Sequence, residues 1–112
     1  MQLHYTQEKQ AGLIAVHGSI DALNAGMVTD FGREKIAGGQ SRLVLDLSET
    51  EFMSSSGLRA ILVLLRECRQ RGGDLHLAAL QPGVEKLLTL AGFTQTLKFF
   101  PVVQEALDDF GQ

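Results

Sequence analysis

Hydrophobic and polar positions change period several times along the chain. Gln2 to Gln7 alternates, with Leu3 and Tyr5 on one face, and Gly12 to His17 (GLIAVH) is apolar and partly β-branched. Glu8 to Ala11 between them reads as a hairpin connection, so the two segments predict an antiparallel pair. Gly18-Ser19-Ile20-Asp21 breaks the second strand. Asp21 is a suitable helix N-cap, and Leu23, Met27 and Phe31 supply an apolar stripe behind it that ends at Gly38 and Gly39. Arg42 to Leu47 (RLVLDL) is nearly continuous in apolar character, as expected of a strand covered on both faces. A loop from Ser48 to Ser55 leads into a helix whose Leu58, Ile61, Leu62 and Leu65 repeat at core spacing. Arg66, Arg69 and Arg71 gather toward its end, where they complement the helix dipole, and Gly72-Gly73 stop it.

The remainder alternates in the same way. Asp74 to Ala79 (DLHLAA) predicts a strand. Pro82 opens a helix carrying Val84, Leu87, Leu88 and Ala91, and a last helix follows Pro101 with Val103, Ala106, Leu107 and Phe110 inward. Leu97 to Phe100 can form a short strand between them. The order β-β-α-β-α-β-α-(β)-α predicts an α/β fold. Parallel strands joined by helical crossovers would make its sheet, with one antiparallel strand at the start.

Composition narrows the class. The chain has 112 residues, 45% hydrophobic and 21% charged, which suits one globular domain over 1–112. A formal net charge of -3 argues against a nucleic-acid binder, which would show a basic stripe. Cys68 is the one cysteine, so no intrachain disulfide forms, and its helical neighbours point to a core thiol. Met1 to Tyr5 lacks the features of a signal peptide. The longest apolar run, Ala60 to Leu65, is far short of the ~20 residues a membrane span needs. No membrane insertion is expected, and the expected location is the cytoplasm.

Enzymatic chemistry finds little support. His4, His17 and His76 fall on three different strands without a Cys or carboxylate at ligand spacing. No serine sits in a Gly-x-Ser-x-Gly elbow, and the Gly-Gly pairs belong to no phosphate-binding loop. Asp46 interrupts an apolar strand and is read as a structural carboxylate bonded near Ser48. Asp108-Asp109 is read as a solvated helix end. The reading calls for no enzyme activity, cofactor or metal.

One segment stands apart: Phe52-Met53-Ser54-Ser55-Ser56-Gly57-Leu58, with three serines directly ahead of a long buried helix. A structural account has one serine capping the helix and the others satisfying its orphan N–H groups. A functional account adds that a helix N-terminus, with free N–H groups and partial positive charge, accepts a phosphate readily. On that account Gly57 leaves the backbone beside Ser56 open to an approaching kinase.

Placed after LVLDL and before an apolar helix, this segment resembles the signature of STAS-domain anti-sigma factor antagonists: Phe, aliphatic, Asp, Ser, Ser or Thr, Gly, Leu. The likeness runs over nearly the whole chain. Gly18-Ser19-Ile20-Asp21 with Asn24 resembles the family's Gly-x-Leu-Asp segment. Leu80 to Val84 and Leu90 to Phe93 resemble its third-helix region, and Ala106-Leu107 the end of its last helix. The resemblance implies a STAS fold, a mixed sheet of four to five strands with about four helices packed chiefly on one face. It also implies partner switching. The unphosphorylated protein would bind an anti-sigma factor that is also a serine kinase, phosphorylation of Ser56 would release it, and a serine phosphatase would reset the cycle. Asp21, Asn24, Ser54, Ser55, Ser56 and Gly57 would form the partner-facing surface. The sequence departs from the pattern at Ser54, where the family usually has Asp. A STAS subunit held permanently by a transporter ATPase, without phosphorylation, is the alternative the resemblance allows.

Overall fold

A computed structural model describes residues 1–111. In chain order the elements are β1 (Gln2–Gln7), β2 (Gly12–His17), α1 (Ala25–Ala37), β3 (Arg42–Glu49), α2 (Ser55–Gln70), β4 (Asp74–Ala78), α3 (Pro82–Leu90), β5 (Lys98–Phe100) and α4 (Val103–Phe110). A short 3-10 turn, Phe93–Gln95, precedes β5. The strands form one five-stranded sheet in sequence order. β1 and β2 pair antiparallel, with Gln7 opposite Gly12 across the hairpin, and the other three pairings are parallel. The expected mixed sheet is present, including the short strand after Leu97.

The two faces of the sheet are covered unequally. Leu43, Leu45 and Leu47 of β3 point into the main core with Ile14, Val16, Leu75 and Leu77, beneath α1, α2 and α3. Val44 and Ala78 point the other way, where α4 alone closes over them with Ala106 and Leu107. β3 is therefore apolar at consecutive positions because both its faces are buried. Asp46 accepts from the Ser48 N–H at 3.0 Å, the structural role expected of it.

α1 presents a different face from the expected one. Its buried residues are Ala25, Val28, Gly32 and Ile36. Leu23 is 96% exposed, Met27 50%, and Phe31 half-buried. At the crossing of α1 over α2, a Cβ on Gly32 would lie 2.6 Å from Leu64 Cδ2, so Gly32 lets the helices meet with Leu64 in its present place. In α2 the expected face is used and widened, with Leu58 and Leu62 packed against the same core. Gly57, Ala60, Ile61, Leu64, Leu65 and Cys68 are buried, while Leu58 and Leu62 are half-buried. Small side chains carry little hydrophobic signal, yet they decide which faces meet.

The arginines at the end of α2 are tied into the fold. Arg69 pairs with Asp74 at 3.0 Å and donates to the Thr96 carbonyl at 2.8 Å, and Arg71 donates to the Ile36 carbonyl at 3.2 Å. Asp109 also departs from expectation. Instead of a solvated end, it contacts Lys98 Nζ at 3.0 Å and His76 Nε2 at 3.4 Å. His76 is buried, stacks on Phe110 at 3.9 Å and meets the Ala106 carbonyl through Nδ1 at 3.2 Å. β4 thus holds α4 by a polar contact as well as an apolar one.

Candidate functional site

Two loops meet where β2 and β3 end. The first, Gly18 to Asn24, links β2 to α1, and the second, Thr50 to Ser54, links β3 to α2. They are zipped by backbone hydrogen bonds: Ile20 N–H donates to the Phe52 carbonyl at 3.0 Å, and Ser54 N–H donates to the Ile20 carbonyl at 2.8 Å. Phe52 N–H donates to Ser19 Oγ at 3.2 Å. Ile20 and Met53 form the bridge at the centre of this zip, and both side chains are buried. Thr50, also buried, anchors the second loop by donating its hydroxyl to the Val16 carbonyl at 3.2 Å. Residues some thirty positions apart are held in one surface by these bonds.

Asp21 and Asn24 lock each other. Asp21 Oδ1 accepts from the N–H groups of Leu23 (2.9 Å) and Asn24 (3.1 Å). Asn24 Oδ1 accepts from Asp21 N–H at 2.9 Å, and its amide donates to the Ser19 carbonyl at 3.0 Å. Asp21 therefore caps a separate turn, in the manner of an Asx turn, and Asn24 holds the N-cap position of α1. The expected role of Asp21 as the cap of α1 is corrected by that intervening turn.

The three serines divide the labour at the start of α2. Ser54 is the N-cap, its hydroxyl oxygen accepting from Ser56 N–H at 3.2 Å. Ser55 is exposed and Ser56 half-buried. The cap uses Ser56's N–H and leaves its hydroxyl out. No carboxylate occupies the first turn, so the positive end of this 16-residue helix is not neutralised from within.

Gly57 does not leave the backbone open. It is buried, and a Cβ there would lie 2.5 Å from Met53 Cγ and 3.0 Å from Ile20 Cγ2. Its place in the sequence answers to packing: the first turn of α2 rests directly on the Ile20–Met53 bridge. Gly57, expected on the partner-facing surface, is thus buried, whereas Ser55 is exposed and Asp21, Asn24, Ser54 and Ser56 are half-buried. Around them stand apolar side chains not expected at a surface. Leu23 and Met27 lie on the α1 side, and Phe52, 59% exposed, projects from the second loop. Their signal in the sequence was ambiguous, because an apolar stripe at helical spacing reads first as core.

Other candidate chemistry stays dispersed. His4 and His17 touch edge-to-face at 4.9 Å, while His76 lies apart beneath α4. Among the described residues no group of three or more His, Cys, Asp or Glu could hold a metal ion, and no helix is long and apolar enough to cross a membrane. Cys68 is buried, and desolvation, reinforced by Asp74 and Glu67, pushes its thiol up to about 12. It is a core residue without thiolate character at neutral pH.

Comparison with known proteins agrees with this geometry. The profile of the STAS domain matches residues 2–106. BtrV of Bordetella bronchiseptica is 32% identical over 99 residues, covering 87% of this chain and 83% of the relative. The anti-sigma F factor antagonist of Paenibacillus polymyxa is 30% identical over 112 residues, 97% and 96% of the two chains. An anti-sigma factor antagonist structure from Mycobacterium paratuberculosis superposes with a TM-score of 0.90 at 22% identity, over 99% of this chain and 94% of that one. Bacillus SpoIIAA in its phosphorylated form superposes with a TM-score of 0.74 at 18% identity, over 96% and 98%. These structural likenesses concern the fold.

Proposed function

The chain belongs to the STAS domain family, and from that premise we propose that it is an anti-sigma factor antagonist whose binding is switched at Ser56. The unphosphorylated chain binds an anti-sigma factor that is also a serine kinase, through the surface of Asp21, Asn24, Ser54, Ser55 and Ser56. The kinase transfers a phosphoryl group from ATP to Ser56 Oγ, the complex dissociates, and a serine phosphatase restores the binding form. The chain supplies the acceptor and performs no catalysis, and the exchange belongs in the cytoplasm, where ATP is available.

The observation that carries this reading is the division of labour at α2: Ser54 caps the helix, so the Ser56 hydroxyl is left at its N-terminus without a capping duty. A phosphate there brings about -1.5 to -2 charges and is tolerated by the helix's own positive end. Ser54 in place of the family's Asp fits the same account. Serine and aspartate cap about equally well, and a neutral cap places no carboxylate beside the incoming phosphate. Driving a partner from mostly bound to mostly free takes roughly 5 kcal/mol of differential affinity. Desolvating a dianion within an interface can supply several kcal/mol of that, as an unpaired buried charge is costly.

The test is an affinity comparison against the purified anti-sigma factor kinase. Ser56→Ala is expected to bind as the unmodified chain does and to resist phosphorylation, and Ser56→Glu to bind far more weakly. Equal affinity of Ser56→Ala and Ser56→Glu would sink the proposal.

A further inference from the structure

The turn before α1 and the first turn of α1 each carry an exposed apolar side chain. Leu23, in the turn just before α1, and Met27, in its first turn, are 96% and 50% exposed, and Phe31 further along is half-buried and packs against the core. Against the edge strand β1 this face of α1 forms a groove of about 450 Å³, lined by Leu3, Met27, Asp30, Phe31 and Glu34. Asp30 and Glu34 are exposed and four residues apart, so their carboxylates stand on one rim. Lys35 is the basic neighbour: it pairs with Glu34 at 3.3 Å and lies over the rings of Phe31 and Tyr5, while among the described residues Asp30 has no such partner on this rim.

Gly26 adds an independent observation. It lies in the first turn of α1, exposed, and a Cβ built there would meet nothing within 4 Å. Its φ is not positive, so neither conformation nor internal packing requires a glycine. Glycine is the poorest helix former after proline, so the position costs stability without a return inside this chain. Met27 and Asp30 are its neighbours on the helix, and Leu23 lies in the turn just before. A bare backbone amid exposed apolar groups admits close approach by another helix.

We propose that this face and groove are a second part of the partner surface, and that they receive an amphipathic helix of the anti-sigma factor. Its apolar ridge packs over Gly26 and Met27, and its lysine or arginine side chains reach Asp30 and Glu34. The inference rests on the reading of the chain as an anti-sigma factor antagonist and names the chemistry of the partner that reading leaves open. Continuity supports it: Leu23 directly follows the Asp21 turn, which is zipped to Phe52 and Ser54. The acidic rim selects a basic helix over an acidic one, because like charges across an interface are strongly disfavoured.

The experiment titrates the full chain with the purified anti-sigma factor kinase of the same organism, without ATP, at low and high salt. Four variants are compared with the wild type: Gly26→Ala, Met27→Glu, the double change Asp30→Lys with Glu34→Lys, and Ser56→Glu. Met27→Glu and the charge reversal are expected to weaken binding by about tenfold or more, and the reversal to remove most of the salt dependence. Gly26→Ala is expected to raise the melting temperature and still weaken binding, which a purely structural role would not do. If these α1 variants bind as the wild type does while Ser56→Glu does not, the α1 surface is refuted and the switch stands. If Ser56→Glu binds as tightly as the wild type, the switch fails. A wild-type chain that does not bind the kinase overturns both.

Discussion

Gly57→Ala separates a packing glycine from an access glycine. The added methyl would enter a site where Met53 Cγ stands 2.5 Å and Ile20 Cγ2 3.0 Å from the new Cβ. Both neighbours are almost fully buried, and both are pinned by the backbone bridge between the two loops. Neither can step aside without disturbing hydrogen bonds that hold the site. Overpacking of a tight core typically costs about 1–3 kcal/mol, and contacts this short belong in the upper half of that range. Alanine returns about 1 kcal/mol through better helix propensity. The net expectation is about 1–2 kcal/mol of destabilisation, or roughly 5–10 °C in melting temperature for a domain of this size. Urea unfolding followed by far-ultraviolet circular dichroism measures it directly. Truncating Met53 to alanine removes the nearest clashing atom. In that background the Gly57→Ala change should cost less, with a coupling of about 1 kcal/mol in the double-mutant cycle. A Gly57→Ala protein as stable as the wild type, with no coupling to Met53, would refute the packing argument and return the glycine to its role as an opening for a kinase.

Three further outcomes follow from the geometry. Ser54→Ala should lose about 1 kcal/mol of stability with the cap, whereas Ser55→Ala, at an exposed position outside the cap, should change little; paired urea midpoints decide this. His76 is held neutral in the fold because burial lowers its pKa, outweighing the opposing pull of the Ala106 carbonyl, Asp74 and Asp109. The unfolded chain binds that proton first, so stability is full above about pH 6.5 and falls as pH drops below it. His76→Gln should flatten this fall, and an unchanged pH profile would remove His76 as its cause. Cys68, with its thiol raised to about 12, should resist iodoacetamide in the native state and react once the chain is unfolded in urea.

The sequence by itself determined the order of the elements, with the short strand before the last helix left as a possibility, because each longer segment carries its own local period and its own stops. It determined that β3 is covered on both faces, since RLVLDL has nowhere to turn a polar side. It also pointed to the segment from Phe52 to Leu58 and to a serine cap within it. Tertiary structure decided which faces were used. Leu23, Met27 and Phe31 have the spacing of a core stripe, yet the α1–α2 contact is made through Gly32 and Leu64, and of the three only Phe31 packs against the core while Leu23 and Met27 are exposed. Asp21 looks like the cap of α1 until the intervening turn is seen, and Asp109 looks solvated until β4 and β5 bring His76 and Lys98 beneath it. Gly57 looks permissive until Ile20, 37 positions earlier, is found beneath it. The physical reason is common to all four. Periodicity reports what one segment can bury, whereas distances between segments report what it does bury. The smallest residues, nearly silent in hydrophobicity, set those distances.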